Sequence, residues 1–130
     1  MIQRLTLPFP PSANQLYRST NKGVRISMRG RAYREEVALC VIRQRAKHMT
    51  GRLAVLIEAY MPDRRRHDLD NLLKATLDCM TYSGVYLDDE QIDDLHIKRC
   101  GIVPGGCLVI TLEEIADGAS SEVPALRPAT

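Results

Sequence analysis

The stretch RLAVLIEAYMPDRRRHDLDNLLKATLDCMTY, residues 52–82, decides the fold because it holds a strand, a charged loop and a helix in succession. Arg52–Met61 is mostly apolar, with alternating β-formers, which predicts a strand near the centre of a sheet. Apolar residues then recur at helical spacing from residue 68 or 69 to Tyr82. The stretch therefore predicts a buried strand joined to an amphipathic helix by the loop PDRRRHD.

Further elements are predicted on both sides of this stretch. They are a strand at Ile2–Leu7, a loop at Ser12–Gly23, a short extended segment at Val24–Ser27, a helix from Ser27 to about Lys47, and strands at about Asp94–Ile102 and Leu108–Glu114. We expect Pro104-Gly105-Gly106 to join the last two strands as a hairpin. This order favours an α+β fold, a two-layer mixed sheet of about four to five strands with two helices on one face.

Length and composition describe one domain. The chain has 130 residues, 45% hydrophobic and 26% charged, so we expect a single domain over residues 1–116 and a disordered tail over 117–130. No apolar run approaches the ~20 residues that cross a bilayer, and no signal peptide is recognisable, so neither a membrane nor a secretory role is expected.

The four cysteines lack zinc-site spacing, which predicts reduced structural thiols in a cytoplasmic protein. Two of them, Cys100 and Cys107, are placed to face each other across the predicted hairpin, which is weak evidence for a disulfide.

The net charge of +2 conceals a strong asymmetry. Residues 1–67 hold 14 basic and 4 acidic side chains, a balance of +10, whereas residues 68–130 hold 4 and 12, a balance of −8. This pattern suggests a basic surface for a polyanion beside a separate acidic cluster. The alternative is that two solvated faces neutralise each other in the fold.

Two aspartate pairs, Asp68-x-Asp70 and Asp88-Asp89, flank the second predicted helix. If the turn with Asp88-Asp89 returns alongside the first pair, three or four carboxylates meet and form the hard-oxygen environment that Mg²⁺ or Mn²⁺ prefers. Carboxylates that close repel one another unless a cation lies between them. Taken singly, each aspartate is better explained as a helix N-cap or a turn residue, and only the whole set beside the arginines favours a metal site.

Lys74 follows Asp70 at i+4, so the two side chains lie on the same side of the helix. Lys74 therefore forms either a simple ion pair or a positive charge beside a metal site that stabilises a phosphate in the transition state. Asp78 continues the stripe at the next i+4 position, and we expect it to be solvated or paired with Lys74.

The loop before Asp68 contains Arg64, Arg65, Arg66 and His67, residue types that bind phosphate when placed on a surface. His67 has three candidate roles, as a phosphate ligand when protonated, as an extension of the patch or as a metal ligand. A second polar strip suits contacts with a nucleic-acid backbone, although it is equally explained as a surface loop. This strip consists of Asn14, Tyr17, Arg18, Lys22 and Arg25.

The motifs MPDRRRHDLDNLLK at 61–74, GVYLDDEQI at 84–92 and LPFPPSAN at 7–14, followed by Tyr17-Arg18, resemble the RusA family of Holliday junction resolvases. Members of this family are endodeoxyribonucleases of bacteria and their phages, and the resemblance covers residues 2 to about 115. Two departures are visible, since His67 stands where a fourth arginine is often found and Tyr86 where the aromatic residue is often tryptophan.

The resemblance implies a homodimer that binds four-way junction DNA and makes paired, symmetric nicks with Mg²⁺ or Mn²⁺. By motif position, Asp68, Asp70 and Asp89 would be the catalytic metal ligands, with Asp88 as the alternative to Asp89, and Lys74 would be the essential cation. The predicted DNA-binding residues are Arg64, Arg65, Arg66, His67, Asn14, Tyr17 and Arg18. The rival hypotheses are a metal-dependent nuclease for flap, single-stranded or RNA substrates, and a nucleic-acid-binding protein without catalysis.

Overall fold

A computed structural model describes residues 1–116, and the predicted tail at 117–130 lies outside the described residues. The elements are β1 (Ile2–Pro8), α1 (Ala13–Leu16), β2 (Tyr17–Thr20), β3 (Gly23–Ile26), α2 (Met28–Arg43), β4 (Arg52–Met61), α3 (Leu69–Tyr82), a 3₁₀ turn (Asp89–Gln91), β5 (Ile92–Ile102) and β6 (Cys107–Ile115). Across residues 1–116, no helix is long and apolar enough to cross a membrane.

The main sheet has four strands in the order β1-β6-β4-β5, and β2 pairs with β3 in a separate two-stranded sheet. Strand β4 is parallel to β5 and antiparallel to β6, and β6 is also antiparallel to β1. The predicted mixed α+β fold is confirmed, and β4 occupies an inner position as its apolar sequence indicates.

The predicted hairpin between β5 and β6 is wrong, because β4 lies between these two strands. The crossover through α3 returns β5 parallel to β4, whereas β6 pairs along the other edge of β4, from Arg52↔Ile115 to Tyr60↔Cys107. In that position β6 has hydrogen-bonded neighbours on both edges instead of one. Cys100 and Cys107 therefore lie on strands that are not adjacent, and both thiols are free.

Both long helices cover the same face of the sheet, as predicted. On β4, Val55 and Ile57 are fully buried in the main core, which also contains Val37 of α2 and Met80 of α3. The alternate residue Leu56 points to the opposite face, where it belongs to a small separate cluster. The helices therefore leave the second face of the sheet without a helical layer in the described chain.

The first long helix is shorter than predicted and ends at Arg43, four residues before Lys47. Arg45 adopts a left-handed conformation with φ of 54°, and the N–H of Ala46 donates to the carbonyl of Val41 at 3.0 Å. This is a Schellman-type stop, formed without the glycine that usually marks one. The start is as predicted, since the Oγ of Ser27 accepts from the N–H of Gly30.

The predicted loop at Ser12–Gly23 is also wrong, because it holds α1 and β2 and leads into β3. The carbonyl of Ser12 accepts hydrogen bonds from the N–H groups of Gln15 and Leu16, which form a single helical turn. Leu16 is buried, and its own carbonyl accepts from the N–H of Ser27 at 2.8 Å. The buried side chain of Leu16 and the hydrogen bond to its carbonyl hold this turn in place, and the turn is too short for apolar periodicity to predict it.

The replacement Gly30→Ala should lower the free energy of unfolding by about 1–2 kcal/mol. A Cβ at Gly30 would lie closer than 3.0 Å to the carbonyl oxygen of Leu16 and to Cγ1 of Ile26. The gain in helix propensity is about 1 kcal/mol, which is smaller than the cost of a clash with a backbone atom that is already hydrogen-bonded. Urea unfolding measures the change. The matched control is Gly101→Ala, where the added Cβ meets open space, and equal midpoints for both variants would contradict the clash.

Candidate functional site

A groove of about 780 Å³ lies between the proline-rich loop after β1, the start of α2 and the loop that enters α3. Its basic and polar lining brings together residues that are distant in sequence. These include Arg29, Arg65, Arg66, His67, Asp68 and Asn71. The structure therefore places Arg65 and Arg66 beside Asp68, the first residue of the first aspartate pair, on one surface.

Asp63 fixes the backbone of this loop. Its Oδ1 accepts the N–H of Arg65 at 2.8 Å and lies 2.8 Å from Nε2 of His67. The His67 hydrogen bond first, and then the Arg65 N–H, hold the pKa of Asp63 below its usual range. The ring of His67 also makes an edge contact with Phe9 at 5.3 Å between centroids. His67 is therefore engaged within the loop, while the side chains of Arg64–Arg66 are exposed.

Asp68 and Asp70 lie at the N-terminus of α3. Asp68 has extended backbone angles at the N-cap position, but its side chain makes no capping hydrogen bond. Its carboxylate is half exposed and lies 3.4 Å from Nε of Arg66. Asp70 follows in the first helical turn, is exposed, and forms no hydrogen bond or ion pair within the described residues. Neither carboxylate is therefore engaged in capping the helix, and the positive end of the helix dipole favours both.

Asp88 and Asp89 lie at the turn that precedes β5. The Oδ1 of Asp88 accepts from the N–H of Glu90, and the side chain of Gln91 accepts from the N–H of Asp88. Partial burial raises the pKa of Asp89, as do the hydrogen bond and negative charge of Asp88 and the charge of Asp78. The negative charges of Asp88 and Asp78 therefore both disfavour the ionised form of Asp89.

The two aspartate pairs are separated along α3. Asp70 and Asp78 are eight residues apart, which is about 12 Å along a helix axis, and the pair at Asp88 and Asp89 lies at the Asp78 end. Within residues 1–116, no group of three or more His, Cys, Asp or Glu side chains is placed to hold a metal ion. One chain does not bring the two pairs together as the sequence suggested, so the roles of Asp68, Asp70 and Asp89 as metal ligands stay predictions.

Lys74 lies on α3 between the two aspartate pairs and contacts Tyr17, which the sequence patterns did not link to it. Its Nζ is 4.9 Å from the centroid of the Tyr17 ring, and the Tyr17 hydroxyl donates to Oδ2 of Asp78 at 2.6 Å. Asp78 is thus neither simply solvated nor paired with Lys74. Tyr17 and Asp78 are 61 positions apart in the sequence, and no periodic pattern could have predicted this bond.

The early basic strip is divided by the structure. Tyr17 lines a second cavity of about 410 Å³ with Asp78, Asp88, Asp89 and other residues. Asn14 and Arg18 are exposed and belong to neither cavity lining. Their predicted contacts with DNA therefore stay predictions.

Comparison with known proteins gives one consistent result. Residues 8–112 match the family model described as Endodeoxyribonuclease RusA. The chain is 40% identical over 117 residues to the crossover junction endodeoxyribonuclease rusA of Enterobacteria phage 82, which covers 87% of this chain and 95% of that relative. It is 39% identical over 114 residues, with the same two coverages, to the crossover junction endodeoxyribonucleases RusA of Escherichia coli strain K12 and Shigella sonnei strain Ss046.

Proposed function

Because the chain belongs to the RusA family of endodeoxyribonucleases, we propose that it resolves four-way DNA junctions in recombination and repair. It acts as a structure-selective endonuclease that hydrolyses phosphodiesters in pairs of symmetric cuts. The observation that carries this proposal is the groove in which Arg65 and Arg66 adjoin Asp68. Such a surface offers phosphate-binding side chains beside carboxylates, the combination that metal-assisted phosphodiester hydrolysis requires.

The loop that contains Arg64, Arg65 and Arg66, called the arginine loop below, binds the DNA backbone. The hydrogen bonds that Asp63 accepts fix the loop, so less conformational freedom is lost when a phosphate binds. The exposed guanidinium groups of Arg64–Arg66 present forked donors that match phosphate oxygens. Asn14, Tyr17 and Arg18 extend the contact to a second backbone segment.

The donor chemistry fits Mg²⁺ or Mn²⁺. All the candidate ligands are carboxylates, and Asp70 has no partner in the described chain. A cation would offset the partial burial and the negative charges of Asp88 and Asp78, which together raise the pKa of Asp89. A bound divalent ion would acidify a water molecule and stabilise charge on the phosphate. Lys74 places an ammonium between the two aspartate pairs, where it stabilises negative charge on the leaving oxygen.

A second copy of the chain supplies the missing half of each metal site. The aspartate pairs lie toward opposite ends of α3, so a two-fold axis across this helix sets Asp68 and Asp70 of one protomer beside Asp89 of the partner subunit. A two-fold dimer repeats this contact and forms two equivalent sites. Two such sites explain paired cuts on opposed strands of a junction that itself has near two-fold symmetry.

Substrate choice tests the proposal directly. Labelled four-way junction, linear duplex, flap DNA and single-stranded RNA are incubated with the protein in Mg²⁺ or in EDTA. We expect symmetric nicks in the junction in Mg²⁺ alone. Equal cutting of all four substrates would favour a nuclease of another class. Junction binding in both buffers without nicks would favour a binding protein without catalysis.

The replacement Arg65→Gln should weaken junction binding at every DNA sequence and lower the salt dependence of binding. Each lost phosphate contact reduces the slope of log affinity against log salt by about 0.9, hence by about 2 for a dimer. Fluorescence anisotropy over a salt series measures the slope. The matched control is Arg43→Gln, an exposed arginine in the last turn of α2 that does not line the groove. An unchanged slope for Arg65→Gln, or the same loss in both variants, would remove Arg65 from the interface.

A further inference from the structure

The surroundings of Lys74 are unusual for a lysine on an acidic helix stripe. Asp70 and Asp78 stand four residues before and after it, the spacing at which helix ion pairs form. Lys74 nevertheless forms no ion pair within residues 1–116. Its ammonium lies 4.9 Å from the centroid of the Tyr17 ring instead, within the range of about 6 Å in which a cation interacts with an aromatic face. The ring therefore attracts the ammonium without neutralising its charge.

Asp78 has a different partner. The hydroxyl of Tyr17 donates to its Oδ2 at 2.6 Å, and burial together with the charge of Asp78 raises the pKa of this hydroxyl, so it stays a donor at neutral pH. The bond occupies the carboxylate that would otherwise compete for Lys74. It also fixes the position of the outer end of the ring, because the phenol oxygen is bonded to α3.

The backbone holds Tyr17 at its other end. Tyr17 opens β2 directly after the buried Leu16, whose carbonyl accepts the N–H of Ser27, the N-cap of α2. The aromatic ring is therefore attached to α2 through its backbone and to α3 through its hydroxyl. A ring fixed at both ends loses little freedom when it orders a flexible lysine beside it.

We propose that Tyr17 and Asp78 are positioning residues for Lys74, with the Asp78-anchored ring of Tyr17 holding the ammonium free of carboxylates and available to a phosphate. This inference rests on the proposed function, in which Lys74 stabilises charge on the leaving oxygen. It assigns Tyr17 a place within the protein's own charge arrangement in addition to any contact with DNA.

Lysine-selective NMR tests the placement without any activity. Protons of the Lys74 side chain near the face of a fixed ring should show an upfield ring-current shift in the wild-type protein. We expect Tyr17→Leu to abolish the shift, and Tyr17→Phe, which keeps the ring but loses the anchor, to reduce it. A Lys74 signal at its ordinary position in the wild-type protein would overturn the inference, whatever the enzyme does to DNA.

Single-turnover junction cleavage tests the role. Loss of the contact between ring and ammonium in Tyr17→Leu should lower the cleavage rate by about 2- to 30-fold, with a smaller loss for Tyr17→Phe. Asp78→Asn, whose amide oxygen still accepts from the phenol, should retain more activity than Asp78→Ala. Junction affinity and the urea midpoint of each variant are measured alongside, so that a loss of binding or of stability is separated from a loss of the cleavage step. The control is Tyr60→Phe, on the sheet face that carries no helix.

The two failures are distinguishable. If the wild-type protein cuts no nucleic acid, the proposed function fails, and the positioning role fails with it. If the wild-type protein cuts junctions but Tyr17→Leu lowers only junction affinity or only stability, the positioning role alone is overturned. The double variant gives a further test. If Tyr17→Leu lowers the cleavage rate by the same factor in a Lys74→Met protein as in the wild-type protein, Tyr17 acts independently of Lys74 and the positioning role is overturned.

Discussion

The replacement Asp70→Asn should lower the rate of junction cleavage by about 1,000-fold, which corresponds to about 4 kcal/mol of transition-state stabilisation. Asp70 is exposed and has no partner among the described residues, so asparagine removes the charge of the proposed metal ligand while it leaves the packing intact. Junction affinity should stay the same or rise slightly, because a negative charge is removed close to the arginine loop.

Single-turnover cleavage of an end-labelled junction in Mg²⁺ measures the rate, and anisotropy in Ca²⁺ or EDTA measures the affinity. The control is Asp94→Asn on β5, whose carboxylate lies 3.0 Å from Nε2 of His96 on the sheet face without helices. Both side chains are partly exposed, and the change is remote from α3, so the control should cleave at the wild-type rate. An Asp70→Asn variant that cleaves normally would exclude Asp70 from the metal site.

The helices and the buried strand of this protein could be predicted because their signals are local. Leu72 and Met80 repeat on one side of α3, and the alternation of Val55 and Ile57 with Leu56 assigns two faces to β4. The end of α2 could not be predicted in this way. Arg45 adopts the left-handed conformation that is usually occupied by glycine, so the residue type at this position did not predict the end of the helix.

Strand order depends on pairing between distant segments, which residue patterns do not encode. Pro104-Gly105-Gly106 has the composition of a hairpin turn, and Gly105 and Gly106 do have positive φ angles of 80° and 67°. The chain nevertheless passes from one side of β4 to the other, because β6 there pairs with both β4 and β1, including Ile2↔Glu113. The prediction of a turn at these residues was right, and the prediction that β5 and β6 are neighbouring strands was wrong.

The candidate site was predictable in its residue types and incomplete in its geometry. Asp68 and Asp70 follow β4, whereas Asp88 and Asp89 precede β5, which is parallel to β4, so the two pairs lie toward opposite ends of these strands. Separating Asp70 from Asp89 therefore required the strand pairing, which residue patterns do not encode. The Tyr17 bond to Asp78 carries no local signal either, since it joins β2 to α3. Sequence reasoning therefore located the charges but could not determine which of them face one another.

Mixed dimers of Asp70→Asn and Asp89→Asn should recover nicking activity that neither variant has alone. If each metal site takes Asp68 and Asp70 from one protomer and Asp89 from the partner subunit, the mixed dimer has one site with both substitutions and one site with none. The two variants are co-expressed with different tags and purified through both. We expect roughly half the wild-type nicking rate per dimer, with junctions nicked on one strand and not resolved.

The pairing of Asp68→Asn with Asp70→Asn is the matched control, because both changes fall on the same half of the proposed site and leave no intact site in a mixed dimer. This pair should stay inactive at the same dimer yield. If each site instead took all its ligands from one chain, the mixed dimer of Asp70→Asn and Asp89→Asn would have two damaged sites and would stay inactive as well. Recovery in one mixture and its absence in the other would therefore follow only from sites shared between protomers, which agrees with the absence of a three-ligand group within residues 1–116.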